Sequence, residues 1–204
     1  MTQVKRKGSK SIKDIPKDIL EQLNRGDIET ANLVEWLAVD QRTLLENLLI
    51  KHDRKIYLKP VLQKIDNLKK QTVNTINEAI GIGLLEQTRL HNDCDFLPTI
   101  ASNQSDLVRC WVSYTIGKDE TSDIAETLEI IKPLAADPHF GVREVAWLSV
   151  RQKISRHVTE SIAILSDWTS YDDDNLRRFA SEATRPCGVW CEHIEMLKQN
   201  PDVG

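Results

Sequence analysis

Arginine, glutamate and tryptophan side chains share one set of helical positions in the last third of the sequence. Arg109, Arg143 and Arg177 recur at one constant spacing, and each begins an apolar run of helical period. With each arginine as position zero, positions one, four, five and eight lie off the apolar stripe. They hold Cys110, Ser113, Tyr114, Gly117, then Glu144, Trp147, Leu148, Arg151, then Arg178, Ser181, Glu182, Arg185. Their chemistry is that of binding, because guanidinium, carboxylate and indole groups line a surface along which an extended ligand would lie.

The same phase predicts which side chains are buried and which are exposed. Five residues of the apolar stripe are expected in the core: Trp111, Val145, Ala146, Phe179 and Ala180. Five others should be at least partly exposed and lie on one side of the protein: Trp147, Arg151, Arg178, Glu182 and Arg185.

The constant spacing of the arginines, a period of about 34 residues, predicts stacked helical repeats. The middle copy, ADPHFGVREVAWLSV, resembles the second helix of a HEAT repeat, with Asp137-Pro138 upstream of the arginine. Alternation of period two is nowhere sustained, so no sheet is expected. The predicted fold is all-α, a HEAT-like repeat α-solenoid of about ten to twelve stacked helices in antiparallel pairs. Arg109, Arg143 and Arg177 themselves are expected to bond acidic or carbonyl groups of a neighbouring turn, and they are excluded from the site.

The predicted organisation is a basic disordered tail over residues 1–14 and one helical domain over 15–204. Helix pairs are irregular to about residue 90, and regular repeats with the period of the arginines occupy 92–204. Thr30 is the expected N-cap of a long helix with a break near Asp40. Gly81 and Gly83, inside a later helix, indicate close packing against a neighbouring helix. Asp172, Asp173 and Asp174 are expected to cap the third arginine helix.

Composition limits the class of protein. The chain has 204 residues, of which 40% are apolar and 28% charged, as in ordinary globular domains. No segment reads as a signal peptide or a transmembrane helix, which predicts a cytoplasmic protein without membrane association. Four cysteines predict reduced thiols, with no metal site and no cofactor. The expected oligomeric state is a monomer.

Although the net charge is −4, the chain contains two basic segments. Either could contact phosphate groups, although solvated helix faces and a disordered tail are the simpler explanation of both. The first contains Lys5, Arg6, Lys7, Lys10 and Lys13, and the second contains Lys51, Arg54, Lys55, Lys59, Lys64, Lys69 and Lys70.

The segment NLRRFASEATRPCGVW, within 174–190, closely resembles the R-R-x-A-S-E-G-T-R-P-R-x-x-W signature of the AlkC/AlkD-type DNA alkylation repair superfamily, which is built from HEAT-like repeats. The similarity continues at repeat level through 137–151 and is only architectural before about residue 90. Two positions depart from the signature. Ala183 replaces its glycine, and Cys187 replaces an arginine, which removes one cation from the expected DNA surface.

The resemblance implies a DNA glycosylase that removes cationic N3- or N7-alkylated purines. Such chemistry uses a carboxylate to stabilise the sugar cation and position water, and aromatic faces to hold the base. By that resemblance Glu182, Trp147 and Trp190 are the catalytic candidates. Arg151, Arg178 and Arg185 are the DNA-binding candidates that would clamp the phosphates of duplex DNA.

Other interpretations remain open for each of these residues. Glu182 could simply pair with Arg178 or Arg185 on one helix face. Trp147 could pack between repeats, and Trp190 could seal a junction between helix pairs. The alternative function is a catalytically inactive HEAT-repeat scaffold that binds a protein partner through the same surface.

Overall fold

The computed structural model describes residues 6–188, 191–200 and 202. Within those ranges the chain is helical and has no strand, as predicted, with twelve α-helices and two short 3-10 helices. No described helix has the length and apolar character needed to cross a membrane. By its internal contacts the chain divides into two compact units, unit 1 (Met1–Val112) and unit 2 (Ser113–Gly204).

Unit 1 contains six complete α-helices and most of a seventh, together with the 3-10 helices Ile12–Asp14 and Lys55–Tyr57. Helix α5 is the longest and packs against α4. The helices are α1 (Lys17–Arg25), α2 (Leu33–Ala38), α3 (Gln41–Lys51), α4 (Leu58–Asp66), α5 (Val73–Leu90), α6 (Phe96–Ile100) and α7 (Asp106–Gly117), whose last residues belong to unit 2.

In unit 2, α9 packs against both α8 and α11, and α10 packs against α8 and α11. The helices are α8 (Ile124–Ala135), α9 (Phe140–Arg156), α10 (Val158–Trp168), α11 (Asp174–Thr184) and α12 (Glu195–Gln199). Helices α7, α9 and α11 begin one sequence period apart, and α8 and α10 do so as well. The period of the arginines is therefore also a period of helix pairs.

The three spaced arginines make the same hydrogen bond in each copy. Arg109, Arg143 and Arg177 each donate from Nη1 to the backbone carbonyl six residues upstream, on Asn103, Asp137 and Tyr171. Arg109 also pairs with the Glu29 carboxylate at 2.6 Å, and Arg177 pairs with Asp174. The prediction that these arginines bond carbonyl or acidic groups is confirmed.

Polar side chains at the helix starts accept backbone amides, as N-caps do. Asp173 caps α11 by accepting from the amides of Asn175 and Leu176, so the predicted acidic cap is confirmed. The prediction for Thr30 is wrong. Asn32 caps α2 instead, because Thr30 donates its amide and hydroxyl to the buried Asp106 carboxylate at 2.9 and 2.8 Å.

The break predicted near Asp40 is present. The chain leaves the helical conformation at Val39, and α3 begins at Gln41, directly after Asp40. The Asp40 carboxylate accepts the amides of Arg42 and Thr43, which gives the second helix its own cap.

The predicted core residues are buried: Trp111, Val145, Ala146, Phe179 and Ala180. Glycines permit two close approaches. A Cβ on Gly83 would lie 3.0 Å from the Val61 side chain, which agrees with the predicted close helix contact. In unit 2 a Cβ on Gly117 would clash with the Ser149 carbonyl oxygen, so the end of α7 touches the backbone of α9.

Residues 6–14 were predicted to belong to a disordered tail, but this stretch has specific contacts with the helical body. Arg6 donates two hydrogen bonds of 2.6 Å to Glu35, whose side chain is 0% exposed. Glu35 also accepts the amides of Ser9 and Ala31. One buried carboxylate thus fixes residues 6–14 to the helical body. Without these donors the burial of a charged carboxylate would be strongly unfavourable, so the contacts of Arg6 and Ser9 are needed.

Glu35→Gln should destabilise unit 1 by about 2 kcal/mol at pH 7, because charge-assisted bonds are replaced by neutral ones. Burial alone would raise the pKa of Glu35, but Arg6 and the Ala31 and Ser9 amides lower it below the usual 4.5. Because the pKa of Glu35 is lower in the folded than in the unfolded state, the ionised carboxylate stabilises the fold at pH values above the unfolded-state pKa. That stabilisation is lost as the pH falls through the folded-state pKa. The difference in free energy of unfolding between variant and wild type, measured by urea denaturation, should therefore decrease below about pH 4.

Glu21→Gln is the matched control, since Glu21 is an exposed carboxylate on α1 with no ion-pair partner among the described residues. It should change the free energy of unfolding by less than about 0.5 kcal/mol. Equal stability losses in the two variants would contradict the anchoring role of Glu35.

Candidate functional site

A cavity of about 210 Å³ in unit 2 contains most of the residues predicted for the site. Helix α9 provides two of its side chains and α11 two more, and the segment that follows α11 closes it. The lining residues are Glu144, Trp147, Arg178, Glu182, Arg185, Gly188 and Cys191. Helix phase therefore brings Trp147, Arg178, Glu182 and Arg185 to one place.

Ion pairs join the charged residues that line this cavity. Glu182 lies 2.8 Å from the Arg185 guanidinium and 3.9 Å from that of Arg178. Arg178 also pairs with Glu144, which occupies the equivalent position one repeat earlier. The Glu182 side chain is 16% exposed, whereas both arginine side chains are about half exposed. The cations are therefore accessible, and the carboxylate lies beneath them.

Trp147 was predicted to be partly exposed, and that prediction is wrong, since only 9% of its surface is accessible. Its indole N–H donates to the Glu144 carboxylate at 3.1 Å. The ring nevertheless forms part of the cavity wall. Glu144 therefore orients Trp147 while it pairs with Arg178, a double role that the sequence pattern did not assign to it.

The predicted exposure of Arg151 is also wrong, because the residue is 3% exposed. Its guanidinium donates to the carbonyl oxygens of Glu182, Ala183, Arg185 and Glu192, at distances from 2.5 to 3.3 Å. Glu182 and Ala183 lie in the last turn of α11, where helix carbonyls lack partners within the helix, and Arg185 and Glu192 lie beyond its end. The side chain expected to clamp phosphate thus bonds protein backbone.

Cys191 and Gly188 complete the cavity, and neither was predicted to take part. A Cβ on Gly188 would clash with the Cys191 sulfur, so the thiol packs directly on the glycine backbone. Burial raises the pKa of Cys191 and keeps the thiol protonated at neutral pH. Gly188 and Cys191 lie in the segment after α11. Neither helical period nor composition predicts the path of that segment, so the sequence pattern did not place them in the cavity.

Trp190, the remaining predicted catalytic residue, lies outside the described residues. Cys187, which stands where the signature has arginine, is exposed. Among the described residues no group of three or more His, Cys, Asp or Glu side chains is placed to hold a metal ion.

No protein-family model, no curated protein and no solved structure matches this chain.

Arg151→Met should destabilise unit 2 by about 3 kcal/mol or more, because several buried carbonyl oxygens would lose their donor. Thermal denaturation followed by circular dichroism measures the loss. Arg156→Met is the matched control, since Arg156 is exposed and pairs with Glu120 at 2.7 Å on the surface. That change should cost less than about 1 kcal/mol. Similar losses for the two variants would show that the bonds of Arg151 contribute little to stability.

Proposed function

We propose that this protein is a HEAT-like repeat protein of DNA alkylation repair that binds duplex DNA and hydrolyses the glycosidic bond of cationic N3- or N7-alkylated purines. The observation that carries the proposal is the convergence of Glu182, Trp147, Arg178 and Arg185 on one cavity. Three of these residues lie within the segment resembling the alkylation repair signature, and Trp147 lies in the preceding repeat. The recurrent helix pairs support the HEAT-like part of the proposal.

The size of the cavity suits a single nucleobase. Sites for drug-sized ligands usually measure about 300–1,000 Å³. At about 210 Å³ the cavity is smaller. A base turned out of the helix would lie against the indole of Trp147, and an aromatic face attracts a cationic ring. Unstacking an alkylated base costs less than unstacking a normal one, which favours damaged positions.

The reaction requires little beyond charge stabilisation. The bond between the sugar C1′ and the purine nitrogen breaks, and its electron pair leaves with the base, which becomes neutral. The Glu182 carboxylate stabilises the positive charge that develops on the sugar and orients a water molecule toward C1′. Addition of that water and loss of its proton to solvent give the abasic sugar.

The ion pairs between cavity-lining residues could couple DNA binding to this chemistry. Arg178 and Arg185 neutralise Glu182 in the free protein. Phosphate oxygens accept the same guanidinium donors in bidentate geometry, so both arginines can exchange a carboxylate for the DNA backbone. The exchange leaves the Glu182 charge uncompensated beside the base, where a cation is then favoured.

Purified protein should release 7-methylguanine and 3-methyladenine from alkylated duplex DNA, measured by chromatography of the freed base. Glu182→Gln should slow release by about 10²- to 10³-fold, the usual loss when one stabilising group is removed, while duplex binding persists. Glu160→Gln, a change at an exposed carboxylate on α10, is the control and should leave release unchanged.

Arg178→Ala combined with Arg185→Ala should weaken duplex binding and flatten its salt dependence. Binding is measured by gel retardation at low salt. Release that is unaffected by Glu182→Gln would contradict the catalytic assignment. No released base and no retarded duplex would contradict the whole proposal and favour the scaffold that binds a protein partner.

A further inference from the structure

Basic side chains without a hydrogen-bond or ion-pair partner are distributed unevenly along the described part of the chain. In unit 2 all ten described lysine and arginine side chains have a protein partner. These are Lys118, Lys132, Arg143, Arg151, Lys153, Arg156, Arg177, Arg178, Arg185 and Lys198. Free cations among the described residues are therefore found in unit 1.

Two stretches of unit 1 contain such side chains: residues 7–17, with the exposed Lys7, Lys10, Lys13 and Lys17, and residues 51–70, which contain more of them. Residues 51–70 contain seven Lys or Arg against two Asp, a net charge of +5 in a chain whose total is −4. Arg54 pairs with Asp93 and Lys64 pairs with Glu86. The other five ammonium groups are exposed and have no partner among the described residues: Lys51, Lys55, Lys59, Lys69 and Lys70.

The centre of this stretch is a helix with one exposed polar edge. The 3-10 helix Lys55–Tyr57 leads directly into α4, which buries Val61 and Ile65 completely. Exposed side chains at intervals of four residues form what we call the lysine row: Lys55, Lys59, Gln63 and Asn67. At 1.5 Å per residue the row is about 18 Å long. All four side chains carry hydrogen-bond donors, and none is a carboxylate.

The chemistry of the row matches a regularly spaced polyanion better than a lipid surface. A helix that lies in a membrane interface presents a broad apolar face. Ile56 is the large apolar side chain exposed beside the row, and the apolar face of α4 is already buried. Lysine contacts to phosphate release counterions and need no base-specific geometry.

We propose that the lysine row binds the phosphate backbone of duplex DNA independently of sequence and of damage. The identity of the polymer rests on the proposed function, whereas the location of the contact is argued from the regular spacing of exposed donors along α4. The row supplies the first electrostatic attachment, because its cations need not break an ion pair before they bind phosphate. Arg178 and Arg185 must do so.

The test is fluorescence anisotropy of an undamaged labelled duplex, titrated with full-length protein between 50 and 200 mM NaCl. Lys55→Ala combined with Lys59→Ala should reduce the slope of log affinity against log salt by about 1.8, at 0.9 per phosphate contact. Affinity at 0.1 M salt should fall about 60-fold on the same relation. Lys55→Arg combined with Lys59→Arg is the matched control and should retain the wild-type slope, and circular dichroism should show all variants equally helical.

Several outcomes would overturn the inference. A wild-type slope in the double alanine variant would show that the row makes no phosphate contact, as would an absence of duplex binding by the wild type. Loss of slope in the arginine variant would show that charge is not the cause. Sedimentation with phosphatidylserine vesicles that depends on Lys55 and Lys59, with duplex binding unchanged, would assign the row to a membrane. Failure of the proposed function is separate, since it is read from base release and from the Glu182, Arg178 and Arg185 variants.

Discussion

A hydrogen bond between a guanidinium group and a carbonyl oxygen joins each of three helices, at its first turn, to the loop before it, and the local structure of these helices depends on that contact. Arg109, Arg143 and Arg177 each tie the loop six residues upstream to the helix that follows. The bond sets where α7, α9 and α11 begin relative to their loops. Since a helix has a fixed rotation per residue, the choice of first turn decides which side chains reach the core.

Buried cations perform a second task in unit 2, which is to satisfy carbonyl oxygens between helices. Arg151 bonds four carbonyls at the end of α11 and beyond it. Lys153, also buried, donates to the carbonyls of Asp119 and Ser122 and to the Thr127 hydroxyl. Buried backbone oxygens need donors, and charge-assisted bonds offset the cost of removing each cation from water. Basic side chains of this unit therefore contribute to the fold before any of them can contact a ligand.

The charges around the cavity are balanced in the free protein, and this balance shapes its chemistry. Glu182 and Glu144 pair with Arg178 and Arg185, while the Arg151 guanidinium is bonded to carbonyl oxygens. A site of this kind has no strong field until one partner of each pair is engaged elsewhere. The phosphates of DNA are suitable competitors for arginine, since their oxygens match the guanidinium fork. Unit 1 differs, because the cations of the lysine row are already unpaired.

Local patterns were sufficient to predict the all-helical class, the period of the arginine helices and the buried identity of residues such as Trp111 and Phe179. Each of these depends on rotation along a single helix, which the order of residues specifies directly. The same phase also brought Trp147, Arg178 and Glu182 together, because α9 and α11 pack against each other. Whether the repeats form a solenoid of the HEAT type stays a prediction.

Only the tertiary structure decided what each polar side chain bonds to. Arg151 and Arg185 occupy the same position in successive repeats, yet Arg151 is buried on carbonyls and Arg185 is half exposed beside Glu182. The difference arises because Arg151 is covered by the turn that follows α11, whereas Arg185 is part of that turn. Thr30 bonds a carboxylate distant in the sequence, that of Asp106, rather than capping a helix, for a similar reason. A side chain's position in the sequence determines the helical face on which it lies. Its bonding partners come from segments distant in the chain. Whether those segments cover the side chain determines whether its charge contacts solvent or the backbone.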